Sequence, residues 1–333
     1  MSTSLGSFSP PNPVFTASGC AASGRELAQF FDPRALGAVV TKSVMLRPRS
    51  GRPTPRMAET PSGMLNSIGL QGPGIDAFLD DDLPWLAARG IRTVVSIAGS
   101  TLDEYAELTR RLTGAPGLAM IEVNISCPNV SDRGQVFAAD ARAAASVIRA
   151  IRRHAAPSVP VFAKLSPDVS DIVRVAAAVV DAGADGLSLV NTLLGMVIDT
   201  GTMRPVLAGV TGGLSGPAIR PVAVRCVWQV HQAMPDVPIL GMGGIRTGLD
   251  ALEFVLAGAS AVSVGTAVFG DPGAPVRVLR ELQTALAERG VRNFRDAVGY
   301  AHRTGDAAHD QPAPAEEDPD PDPDAASDAQ GGR

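Results

Sequence analysis

Aromatic residues make up only 4% of this 333-residue chain, and cysteine occurs three times. Cys20, Cys127 and Cys226 are too few and too scattered for a disulfide framework or a metal knuckle, so no metal site is expected. A reducing, cytoplasmic setting follows as the expectation. No run approaches the roughly 20 apolar residues needed to cross a bilayer, and Met1 to Asn12 lacks the basic-then-apolar pattern of a secretion signal. No stripe of basic residues interleaved with aromatics argues for nucleic acid. The net charge of −5 belongs to the C-terminus: nine acidic residues after Thr304 face Arg333 alone, which leaves the rest of the chain a small positive excess. Residues 304–333, rich in Pro, Ala and Asp, carry too little apolar surface to fold and read as a disordered, solubilising tail.

What the chain has is apolar surface, 45% of its residues, and 35 glycines. Short β-branched runs recur at Val14–Ser18, Ala38–Lys42, Thr93–Ala98, Met120–Ser126, Val161–Ser166, Gly186–Asn191, Pro238–Met242 and Ala261–Gly265. Between them lie helical patterns at Arg25–Phe31, Ile75–Arg89, Leu102–Leu112, Ala141–Ala155, Asp171–Ala182, Pro217–Met234, Leu249–Ala257 and Ala274–Glu288. Strands apolar on both faces need helices over them and hence form a parallel sheet. Eight such units predict an α/β (β/α)8 TIM barrel with inserted active-site loops, preceded by an extension over residues 1–11 and occupying 12–303. A doubly wound open sheet is the alternative. Two long stretches, Arg47 to Gly74 and Met196 to Ser215, stand outside the alternation and read as functional loops or a subunit contact.

A barrel of this kind works at the C-terminal ends of its strands. Polar residues gather there: Thr41-Lys42-Ser43, Asn124 to Asn129, Lys164-Leu165-Ser166, Asn191-Thr192, Gly243-Gly244 and Gly265-Thr266. The glycine turns after the seventh and eighth strands suit a phosphate held by backbone N–H groups. Lys164 is placed to stabilise an anionic reduced flavin, and Lys42 to meet the flavin or its ribityl chain. Cys127, in Asn124-Ile125-Ser126-Cys127-Pro128-Asn129, is a thiol flanked by amides that can hydrogen-bond a polar heterocycle. It is a candidate general base, although a thiol near pKa 8.5 is mostly protonated at neutral pH. Cys20 follows Gly19 on the flavin side of the first strand, whereas Cys226 reads as helix packing.

These segments, together with Thr16-Ala17-Ser18-Gly19, Asn66-Ser67-Ile68-Gly69-Leu70 and Thr211 to Gly216, resemble the class 1 dihydroorotate dehydrogenases, flavin enzymes of pyrimidine (UMP) synthesis, from about Asn12 to Arg303. The resemblance implies FMN held by Ser18, Lys42, Ser43, Asn124, Lys164, Val190, Gly216, Gly243, Gly244, Gly265 and Thr266. It implies dihydroorotate held by Lys42, Asn66, Ser67, Ile68, Gly69, Leu70, Asn124, Asn129, Asn191 and Thr192. Cys127 would take the C5 proton while hydride leaves C6 for the flavin, under a loop, Ser131 to Ala138, that closes with Gly134 as hinge. Asn191 to Gly195 and Thr211 to Pro217 look like the NAD-linked (class 1B) subtype, which implies a homodimer, and a heterotetramer with a partner subunit carrying FAD and a 2Fe–2S cluster. Ser96 departs from that subtype, which often has an FMN-contacting asparagine there, and the acidic tail is not a family feature.

The membrane-linked class 2 enzymes, which typically use serine at the base position, resemble the chain less. The alternatives are a fumarate-linked dihydroorotate dehydrogenase, a dihydropyrimidine dehydrogenase-like barrel, a flavin-binding subunit without turnover, and a tRNA-modifying flavin barrel. Orotate against uracil preference separates the second of these.

Overall fold

The computed structural model describes residues 1–125 and 140–303. Eight parallel strands alternate with helices: β1 (Val14–Thr16), β2 (Val39–Val40), β3 (Thr93–Ile97), β4 (Leu118–Asn124), β5 (Val161–Leu165), β6 (Gly186–Leu189), β7 (Ile239–Met242) and β8 (Ala261–Val264). They neighbour one another in sequence order from β2 to β8, and β8 pairs with β1, Val14 opposite Val262. A parallel bridge between Phe15 and Ala38 closes the ring. This is a (β/α)8 barrel.

Strand residues alternate between two environments, as a period of two requires. On β5, Val161, Ala163 and Leu165 pack under the helices, while Phe162 joins a separate inner cluster. That cluster takes Phe15, Val94, Met120, Leu240 and Ala261 from other strands. Gly186 supplies the space: a Cβ there would stand 2.3 Å from Cζ of Phe162. Moving along the strands toward their C-terminal ends, the inward residues turn polar, with Ser96, Glu122, Lys164, Ser188 and Ser263 all buried.

The residues before Asn12, read from sequence as an extension, pack at the opposite end. Leu5 is fully buried in the inner cluster, Phe8 meets the Phe15 ring edge-on at 6.2 Å, and the Thr3 hydroxyl donates to the Ser260 carbonyl at 2.6 Å.

The helices match the periodic segments closely, with Leu102–Leu112 and Ala274–Glu288 at the expected bounds. Thr101, Asp140, Asp171 and Thr247 cap their helices, each side chain accepting an N–H of the first turn. Arg25–Phe31 is an exception: only a 3-10 turn, Leu27–Gln29, forms there.

The two long stretches are more ordered than loops. Met57–Thr60 and Gly63–Asn66 of the first and Gly212–Ser215 of the second, joined by Leu193–Gly195 just before the second, form an antiparallel sheet across the C-terminal end of the barrel, with Asn66 opposite Gly213. Neither stretch can complete this sheet alone, which is why neither shows it in local pattern.

Candidate active site

Two adjoining cavities of about 590 and 460 Å³ open at the C-terminal ends of the strands. Both are walled in part by Ser18, Cys20, Lys164, Asn191, Thr192 and Thr266, so they form one cleft. Such dimensions suit a cofactor with a small substrate beside it.

The first cavity ends in a glycine cradle. Gly243 and Gly244 follow β7 with φ of 132° and 78°, and Gly216 opposes them with φ of 91°. A Cβ on Gly244 would stand 2.7 Å from the Gly216 carbonyl oxygen, so a side chain has neither the backbone conformation nor the space there. The amide N–H groups of Gly243, Gly244 and Thr266 meet no acceptor among the described residues. Thr266 donates its hydroxyl to Ser215 at 2.8 Å, and Gly265 and Val190 complete the wall. The Ser263 hydroxyl, buried and also without a partner there, lines the same cavity.

Lys164 sits where the cavities meet, its side chain 5% exposed. It reaches Glu122 on the neighbouring strand at 3.5 Å, and the second oxygen of Glu122 has no partner among the described residues. Beside this pair runs a neutral chain of contacts. Asn191 donates to the Asn124 side-chain oxygen at 3.5 Å, Asn124 donates to Ser43 at 3.1 Å, and Ser43 meets Ser96 at 3.0 Å and Ser18 at 3.4 Å. The fully buried Tyr105 fixes Asn124 from behind by donating to its carbonyl at 2.9 Å. Ser96 lines neither cavity and instead buttresses Ser43.

The second cavity is lined by Ser43 and by Lys42, Asn66, Ile68, Gly69, Leu70, Asn124, Asn191 and Thr192, the last eight being nearly the whole set that the sequence motifs select for substrate. Gly69 and Leu70 are both left-handed, with φ of 76° and 55°. Ser67 lies behind this turn, 1% exposed, and does not reach the cavity. Cys127, Asn129 and the segment Ser131 to Ala138 lie outside the described residues.

Several wall residues carry no motif signal: Arg52, Met57, Met64, Asp168 and Phe269. Asp168 follows the Lys164-Leu165-Ser166-Pro167 motif, which could have flagged it, and accepts from the Leu194 N–H at 2.9 Å. It thereby ties the β5 loop to the antiparallel sheet. Cys20 stands on the wall between the cavities, where burial pushes its thiol up to about 11 against the opposing pull of Lys164 and Lys42.

Fold and cleft define a class: a (β/α)8-barrel enzyme with a glycine cradle of unpartnered amides at one end of its cleft and an amide-lined pocket at the other. Comparison with known proteins narrows it. The family model described as dihydroorotate dehydrogenase matches residues 2–286, and the chain belongs to that family. It is 54% identical over 294 residues, 88% of this chain and 95% of the relative, to the protein of Desulforudis audaxviator named dihydroorotate dehydrogenase B (NAD(+)), catalytic subunit. The Geobacter sulfurreducens protein of the same name is 50% identical over 299 residues, covering 90% and 97% of the two chains. No helix among the described residues is long and apolar enough to cross a membrane.

Proposed function

We propose that this chain is the catalytic subunit of an NAD-linked dihydroorotate dehydrogenase and oxidises dihydroorotate to orotate for pyrimidine synthesis in the cytoplasm. The observation that carries the reading is the single cleft in which Lys164 joins a glycine cradle to the Asn66, Asn124 and Asn191 wall.

The residues present fit FMN. The free amides of Gly243, Gly244 and Thr266 suit its phosphate, and Lys164 suits the edge of the ring that becomes anionic on reduction. Ser18, Lys42, Ser43, Asn124, Val190, Gly216 and Gly265 complete the proposed set. FMN, when bound, supplies the two-electron acceptor that no side chain provides. The asparagine amides pair with the carbonyl and N–H edges of the dihydropyrimidine, since one amide both donates and accepts. The Asn191–Asn124–Ser43 contacts fix how those amides face. The Ile68–Leu70 turn offers N–H groups, with no acceptor among the described residues, to the ligand's carboxylate. Cys127 takes the C5 proton, and rate rises with pH as its thiol ionises. A partner subunit carrying FAD and a 2Fe–2S cluster would supply the route for electrons to NAD, and the catalytic subunit would be a dimer.

Anaerobic addition of dihydroorotate to the purified yellow protein should bleach the flavin absorbance, and Cys127→Ser should slow that bleaching by about 10²–10⁴-fold at neutral pH. Flavin that stays oxidised with dihydroorotate overturns the substrate. Equal rates in the two proteins remove Cys127 from the chemistry.

A further inference from the structure

We infer that Arg52 supplies the positive charge that makes the second cavity select a carboxylate-bearing ligand, an inference that rests on the dihydroorotate reading above. Four arginines of the stretch between β2 and β3, Arg47, Arg49, Arg52 and Arg56, lie close in sequence, and they are used differently; Arg47 is exposed and lines neither cavity. Arg49 donates to the Gly69 carbonyl at 2.9 Å. Arg56 donates to the carbonyls of Ser50 and Arg52, both at 3.3 Å, and to the Gln71 side chain at 2.5 Å. Those two guanidiniums brace the segment. Arg52 is also anchored, but by its backbone, whose N–H donates to the Ile68 carbonyl at 3.0 Å. Arg52 is half-buried and lines the second cavity, its guanidinium meets only the neutral Ser67 hydroxyl at 3.3 Å, behind the Ile68–Leu70 turn, and it forms no ion pair among the described residues.

A partly desolvated guanidinium beside an open cavity favours an anion, and its fork matches a carboxylate. The other charged groups of this wall are committed elsewhere or shared. Lys164 pairs with Glu122. Asp168 spends its oxygens on the Leu194 N–H. Lys42 stands beside Gly19 on the first-strand side of the cleft, with 3.7 Å between its Nζ and the Cβ position of that glycine. Arg52 instead runs along the Ile68–Leu70 turn: its Cγ stands 2.9 Å from the Cβ position of Gly69, and its Nη1 stands 2.8 Å from that of Gly209. Glycine at 209 leaves the space through which the guanidinium passes. A carboxylate seated on the free amides of that turn lies next to this charge. A pyrimidine without a carboxylate gains nothing from it, so Arg52 acts on specificity rather than on the chemical step.

The test is titration of the FMN-loaded protein with orotate and with uracil, read as perturbation of flavin absorbance, for wild type, Arg52→Gln and Arg52→Lys. Orotate should bind Arg52→Gln about tenfold or more weakly, the cost of one charge-assisted contact. Arg52→Lys should fall between, while uracil affinity and flavin content stay level across the three. Unchanged orotate affinity in Arg52→Gln overturns the assignment. Equal losses for orotate and uracil also overturn it, since they mark a brace for the loop. A wild type that binds uracil but not orotate overturns the substrate reading itself, and the selectivity assigned to Arg52 with it.

Discussion

The two ends of this barrel are built from the same strands, two residues apart, and they have opposite chemistry. On β4 the inward residues run Met120, Glu122, Asn124, and on β5 they run Phe162, Lys164. At the end where the strands begin, Met120 and Phe162 meet Leu5 and Phe15 in a dry cluster closed by the N-terminal residues. At the end where they finish, Asn124 and Lys164 wall a cleft. Between them lies a layer of buried polar groups, Glu122, Ser188 and Ser263 among them, each with an oxygen that has no partner among the described residues. Groups of that kind destabilise a fold. A barrel that carries them draws its stability from one end and its function from the other.

Phe162→Ala tests this separation most severely. It opens a cavity in the dry end and should lower stability by about 3–5 kcal/mol, measured by denaturant unfolding. Flavin content and the rate of flavin reduction at 25 °C should be unchanged, and a slower reduction would break the separation. Glu122→Gln probes the layer between. It leaves Lys164 buried without its counter-charge and should cost about 3 kcal/mol. Because Lys164 also faces the cleft, flavin affinity should change as well; a loss of stability alone would assign Glu122 to the dry end.

The smallest effect is expected at Cys20. Its folded-state pKa lies above the ordinary value of 9.0, at about 11, because burial disfavours the thiolate. The folded protein therefore holds that proton more tightly than the unfolded chain. The resulting stability is complete below pH 9 and is lost as pH rises toward 11. Cys20→Ala should flatten the alkaline limb of the stability profile, and iodoacetamide should label Cys20 in the folded protein far more slowly than in the denatured one at pH 8. Labelling at the denatured rate would show the wall to be open there.

Much of the architecture was legible in local pattern. All eight strands and seven of the eight helical segments answer to runs visible in the sequence, because burial on both faces imposes apolar runs and helix packing imposes a 3.6-residue period. The rim was legible too. Lys42 and Lys164 are the chain's only lysines, both at strand ends, and the glycine turns mark positions that no side chain can occupy. The N-terminal residues were harder to read, since Leu5 and Phe8 have no periodicity to report and are buried only because the barrel leaves an open end for them.

The sequence by itself thus determined the order of elements, the end of the barrel that would carry chemistry and most residues of the cleft, since each of these is written in a local period or a strand end. Tertiary structure alone decided three things. It paired Asn66 with Gly213 across the two long stretches, buried Glu122 against Lys164, and brought Arg52, of four neighbouring arginines, to the wall of the second cavity. Each depends on groups far apart in the chain, or on which side of a turn a long side chain leaves, and contacts of that kind have no period for a local pattern to reveal.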